Sequence, residues 1–166
     1  MANNKSTHVA PDFDERYPNA SARATEGAMN LVLTADLIVK HITGLLRPFD
    51  LSPAGGLVLG ILADSDLPLS PNKIAEDLII SRATVTGLLD SLERRGYVQR
   101  TPHGSDRRML LIELTDTGRN VARDFRPIVH QHEKVWLEDL SEKEQRQLID
   151  LLHRIQATLT ASEEGA

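Results

Sequence analysis

The hydrophobic period of this chain switches from helix to strand in one short segment, and that switch constrains its fold more than any other feature. Up to about residue 94, apolar residues recur at three- and four-residue steps, the spacing of amphipathic helices. From Tyr97 to Thr101 and from Met109 to Leu114 they instead read as two short strands, joined by the polar loop Pro102-His103-Gly104-Ser105-Asp106-Arg107-Arg108. The helices before this switch are short and sharply punctuated. Ser52-Pro53 and Ser70-Pro71 each offer an N-cap followed by proline at the first helical position, where a missing N–H costs nothing. They predict helices over 53–64, with Leu57, Val58, Ile61 and Leu62 apolar, and from 71, with Ile74, Ala75 and Leu78. Ser81 can cap a third helix striped by Val85, Leu88, Leu89 and Leu92, and Gly96 stands where a left-handed stop is wanted.

Longer helical patterns flank this segment. Met29, Val32, Leu33, Leu37, Ile38, Ile42, Leu45 and Leu46 predict one long amphipathic helix over residues 21–46. Residues 1–20 are polar, with Pro11, Pro18 and an acidic patch, and read as a loose arm that packs late if at all. Thr115 reopens helix to about Trp136, with a kink or break expected before Pro127. The capping box Ser141-Glu142-Lys143-Glu144 starts a last helix striped by Leu148, Leu151, Leu152, Ile155 and Leu159. The expected organisation is an arm (1–20), a first frame helix (21–50), a compact domain (51–114) and C-terminal helices (115–162).

Composition excludes several classes. Cysteine is absent, so there are no disulfides, thiolate metal sites or thiol switches. No apolar run is expected to reach the roughly 18 residues that span a bilayer, and the N-terminus lacks a secretory core, so no membrane partner and a cytoplasmic location are expected. The net charge is −5, yet residues 70–114 carry 7 basic against 6 acidic groups while both flanks are acidic. Arg94-Arg95 and Arg107-Arg108 cluster there, as suits a surface where a few placed cations meet phosphate.

The order of short helix, turn, second helix and hairpin is the layout of a winged helix-turn-helix. A helix fits the major groove of B-form DNA when it is held by its apolar back, and a basic wing tip can reach the neighbouring minor groove. The stretch SRATVTGLLDSLERRGYV, then the DRR of the wing, then LTDTG, resembles the multiple-antibiotic-resistance regulator (MarR) family, with likeness from about residue 45 to 122. The resemblance implies a mainly α fold with a small β-wing, in which the winged domain (helix-turn-helix about 70–95, wing about 97–114) merges with a helical dimerisation frame. It implies a homodimer on double-stranded DNA, a ligand-responsive repressor on a pseudo-palindromic operator, and no enzymatic activity. By the same resemblance Ser81, Arg82, Thr84 and Thr86 read or position in the major groove. Arg107 would enter the minor groove with Asp106 orienting it, and Arg95 and Arg108 would be phosphate contacts or structural braces. Gly87 departs from the many relatives that carry arginine there. A small aromatic or anionic effector would sit between frame and winged domain, with Lys40, His41 and Arg47 supplying positive charge.

Plainer readings stand beside these. Arg94-Arg95 could be a solvated helix end favoured by the helix dipole, Asp106-Arg107 a turn-stabilising pair, and Lys40, His41 and Arg47 surface residues. His130 and His132 point roughly 200° apart on a helix, which speaks against a shared metal, and neither metal nor cofactor is expected. Gly55-Gly56 lacks an adjacent Lys-Ser/Thr, so close helix packing explains it better than phosphate binding. The rival function is a winged-helix module that binds protein and not DNA.

Overall fold

A computed structural model describes residues 7–102 and 110–164. Helices α1 (Phe13–Arg16), α2 (Ala22–Leu46), α3 (Pro53–Asp64), α4 (Pro71–Leu78) and α5 (Arg82–Arg94) precede strands β1 (Val98–Pro102) and β2 (Leu110–Leu114). Helices α6 (Asp116–Trp136) and α7 (Glu142–Glu164) follow. The chain divides into two compact units, one through Phe125 and one from Arg126.

The helix starts form for the reasons their residues suggest. Ser21, Ser52, Ser70 and Ser81 each accept a hydrogen bond from the backbone N–H three residues on, satisfying one of the orphan donors of a helix start. At α7 the box closes both ways: Ser141 N–H donates to Glu144 Oε2 at 2.8 Å and Glu144 N–H to Ser141 Oγ at 3.4 Å. Ser141 Oγ also donates to Glu144 Oε2 at 2.6 Å, and this bond first, with the Ser141 N–H second, holds the Glu144 carboxyl below its ordinary range. Gly96 takes the left-handed conformation, φ 71°. The turn between α4 and α5 is different. Ile79 itself is left-handed, at φ 53° and ψ 47°, and its N–H caps the end of α4 through Ala75 and Glu76. A β-branched residue bears about 1–2 kcal/mol of strain there.

The first unit packs around Leu46, Val58, Leu59 and Leu62, Ile74 and Ala75, Val85, Leu89 and Leu92. Val98, Ile112 and Leu114 from the strands and Ala122 and Phe125 from α6 complete this core. In α3 the buried row is shifted from the expected one: Leu59 is inside while Leu57 is 59% exposed. Gly56 fits where a Cβ would stand 2.7 Å from Leu46 Cδ1, so helix packing does account for that glycine. The strands pair antiparallel with Val98 opposite Leu114, Arg100 opposite Ile112 and Pro102 opposite Leu110. Leu69 adds a one-residue third strand, exchanging both backbone hydrogen bonds with Ile112 at 3.0 and 2.7 Å.

Two details go beyond the sequence reading. Residues 7–9 of the supposedly loose arm are tied to α2: Asn30 Nδ2 donates to the Thr7 carbonyl at 2.9 Å and Val9 N–H to Glu26 Oε1 at 3.0 Å. Polar groups on the first turns of α2 offer the arm partners that its own composition did not reveal. Helix α6 also runs unbroken through Pro127. A proline removes one hydrogen bond from a helix, and the remaining turns of this long helix carry it across.

Helix α2 is almost wholly exposed along its length, with Val32 at 61%, Leu37 at 59% and Val39 at 50%. Asp36, Lys40 and His41 interrupt its apolar run, yet the mean hydropathy of an 18-residue stretch within Ala22–Phe49 reaches 1.3, enough by length and composition to cross a membrane. In the second unit the row Leu151, Ile155 and Leu159 on α7 is 44%, 44% and 61% exposed.

Candidate nucleic-acid interface

Helix α5 is anchored by Val85, Leu89 and Leu92, with Leu88 half-buried, and this leaves one face and the N-terminal end to solvent. Ser81, Arg82, Thr84 and Thr86 are all exposed there. Their hydroxyls have local work. Ser81 Oγ accepts from Thr84 N–H at 3.1 Å and lies 2.8 Å from Thr84 Oγ1, while Thr86 donates to the Arg82 carbonyl at 3.0 Å. Each oxygen keeps acceptor capacity, and the Arg82 guanidinium has no hydrogen-bond partner among the described residues. Helix N-terminal N–H groups and positive dipole density favour an anion at this end. Gly87 lies open, with nothing within 4 Å of where a Cβ would be.

Arg95 is occupied. Its Nε donates to Asp50 Oδ2 at 2.8 Å and its Nη1 to the Ser91 carbonyl at 3.1 Å, and Asp50 raises its pKa further by hydrogen bonding. Asp106, Arg107 and Arg108 lie outside the described residues. Lys40, His41 and Arg47 are exposed along the end of α2 and the following turn Arg47–Phe49. On α6, His130 Nδ1 meets Glu133 Oε2 at 2.9 Å and His132 Nδ1 the Ile128 carbonyl at 2.9 Å, so each ring is held on its own helix.

Sequence reasoning missed two contributors. Arg100 on β1 reaches α5, where its Nη2 donates to Asp90 Oδ1 at 2.6 Å and its Nη1 to Glu93 Oε2. The Asp90 hydrogen bond is the main cause of its raised pKa. The signal was available: strand alternation puts Arg100 on the same inward face as buried Val98. The second is the junction between wing and α6. Thr115 Oγ1 donates to the Gly96 carbonyl at 2.5 Å and accepts from Gly118 N–H at 3.0 Å.

A MarR family sequence model matches residues 49–109. The HTH-type transcriptional repressor YetL of Bacillus subtilis is 32% identical over 153 residues, covering 89% of this chain and 89% of YetL. The HTH-type transcriptional regulator SarZ of Staphylococcus aureus is 34% identical over 116 residues, covering 69% and 76%. Among solved structures, the S. aureus MepR–DNA complex matches with a TM-score of 0.74 at 26% identity, over 79% of this chain and 96% of that one. CouR from Rhodococcus jostii RHA1 bound to p-coumaroyl-CoA matches with a TM-score of 0.74 at 25% identity, over 82% and 95%. The capped, open-faced α5, the two-stranded wing and these likenesses agree: the chain belongs to the MarR family of winged helix-turn-helix, DNA-binding transcription regulators and is not an enzyme.

Proposed function

We propose that the protein is a ligand-responsive repressor that binds a pseudo-palindromic operator as a homodimer in the cytoplasm. The observation that carries this reading is the exposed N-terminal end of α5, where Arg82 is unpaired among the described residues beside the Ser81 cap. In this reading Ser81, Arg82, Thr84 and Thr86 enter the major groove, and Arg107, oriented by Asp106, enters the adjacent minor groove. Arg108 contacts phosphate and Arg95 braces the end of α5. The exposed apolar rows of α2 and α7 bury against a second copy, which spaces two recognition helices about one DNA turn apart. That use of α2, and not a bilayer, accounts for its apolar surface. The effector is a small aromatic or anionic molecule, with Lys40, His41 and Arg47 supplying positive charge. CouR, whose structure holds p-coumaroyl-CoA, supports that class of ligand.

Two substitutions separate the reading heads. Arg82→Ala removes a side chain placed to grip a guanine edge with two hydrogen bonds, at a cost of about 1–3 kcal/mol at one base pair and with preference flattened there. Arg107→Ala weakens binding to operators with narrow flanking minor grooves while leaving the preference among central half-site bases intact. A binding survey over single-base operator variants, with a thermal melt of each mutant, checks both. Arg107→Ala binding as tightly as the parent removes the wing from the groove, and its unfolding would make Arg107 a brace. Absence of DNA binding by the parent would favour the protein-interaction alternative.

A further inference from the structure

Helical geometry places Arg82, Thr86, Asp90 and Glu93 within about 80° of one another, on a face of α5 that flanks its buried row at roughly a right angle. The face read above as DNA-facing therefore carries two carboxylates in its C-terminal half. They line a shallow cleft with Gly87 and Arg94. Carboxylates turned toward a duplex repel its phosphates, and the negative end of the helix dipole adds to them. Arg100 answers this charge. Reaching across from β1, its guanidinium donates separately to Asp90, at 2.6 Å, and to Glu93. Its side chain is only 23% exposed, against 54% and 40% for the two acids. With both terminal nitrogens committed and most of its surface covered, Arg100 is poorly placed to grip a phosphate itself.

We propose that Arg100 is a positioning residue for DNA binding, neutralising Asp90 and Glu93 and holding both carboxylates toward the wing so that a phosphate backbone can approach the C-terminal half of α5. The inference rests on the reading of α5 as the helix that faces DNA. It assigns β1 an electrostatic role beside its structural one, because the strand delivers the counter-charge that the recognition helix lacks.

The test uses the full chain and a duplex that the parent protein selects from a random pool. Arg100→Gln leaves two uncompensated carboxylates on each subunit and should weaken binding by on the order of tenfold at low salt, the loss shrinking as salt rises. Adding Asp90→Asn and Glu93→Gln to Arg100→Gln removes the acids while leaving the tether broken. Affinity should then return to within about threefold of the parent, since the repulsion is gone. The double variant Asp90→Asn/Glu93→Gln should bind at least as tightly as the parent. Circular dichroism at the assay temperature keeps the comparison to folded protein. A triple variant that stays as weak as Arg100→Gln would overturn the proposal and make Arg100 either a plain brace or a direct phosphate contact. If the parent selects no DNA at all, the reading of α5 fails first, and that result is distinct from a failed rescue.

Discussion

Replacing Gly118 by alanine should cost about 3 kcal/mol or more of stability, among the largest effects of any one-methyl addition to this chain. A Cβ at residue 118 would lie 1.9 Å from the Tyr97 carbonyl oxygen and 2.8 Å from its carbonyl carbon. Both are backbone atoms, and the Tyr97 carbonyl is fixed by the Thr115 N–H at 3.1 Å. Neither the start of α6 nor the start of β1 can yield without breaking the Thr115 cap. The LTDTG segment is thus a splice between wing and C-terminal helix: threonine ties the two, and glycine permits their contact. Alanine at Gly87 supplies the control. That site is also helical, with nothing within 4 Å, so Gly87→Ala should raise stability by roughly 0.5–1 kcal/mol. Urea melts of the parent and both variants check the pair, and similar midpoints for Gly118→Ala and the parent would contradict the tight junction.

The second large effect concerns assembly. Leu37 is 59% exposed on α2 and Ile155 is 44% exposed on α7, so a charge at either is tolerated in a single chain. Buried against a second copy, the same charge is desolvated and unpaired. Leu37→Glu combined with Ile155→Glu should therefore halve the sedimenting mass and weaken operator binding by about two to four orders of magnitude. The second half-site would then no longer be engaged from a tethered partner. The parent interface should be of obligate size, roughly 2,000 Å² or more. A monomeric parent, or a doubly charged variant that still sediments as a dimer, would contradict this part of the account.

Local signals carried most of the fold. The Ser-Pro starts, the Ser81 cap, the Ser141–Glu144 box and Gly96 are rules of a few residues, and each is realised where the pattern placed it. What escaped was set at long range. The Leu69–Ile112 bridge joins residues 43 apart, and the tie of Thr7 to Asn30 spans 23. In α3 a nearly continuous apolar run let tertiary packing choose Leu59 over Leu57. Arg95 shows the same limit within the site: its basic character was legible, but its engagement by Asp50, 45 residues away, was not. Arg100 was passed over for another reason. Clusters of arginine drew attention to residues 94–95 and 107–108, whereas a lone arginine on an inward strand position acts through the acids it neutralises. Ile79 carries no turn signature at all: the helix-turn-helix corner is held by backbone hydrogen bonds from Ile79 and Ile80 to the end of α4, with an exposed, strained isoleucine where glycine would be expected.

The salt dependence of binding by the parent protein tests the central claim, that residues 70–114 of two subunits grip a DNA backbone. Cations meeting phosphates release condensed counterions, so the logarithm of affinity falls linearly with the logarithm of salt concentration, with a slope set by the number of contacts. A titration of a selected duplex between low and physiological salt should show a loss on the order of 10³ in affinity. A flat response across that range, or no binding at its low end, would mean that the exposed end of α5 and the wing do not face DNA.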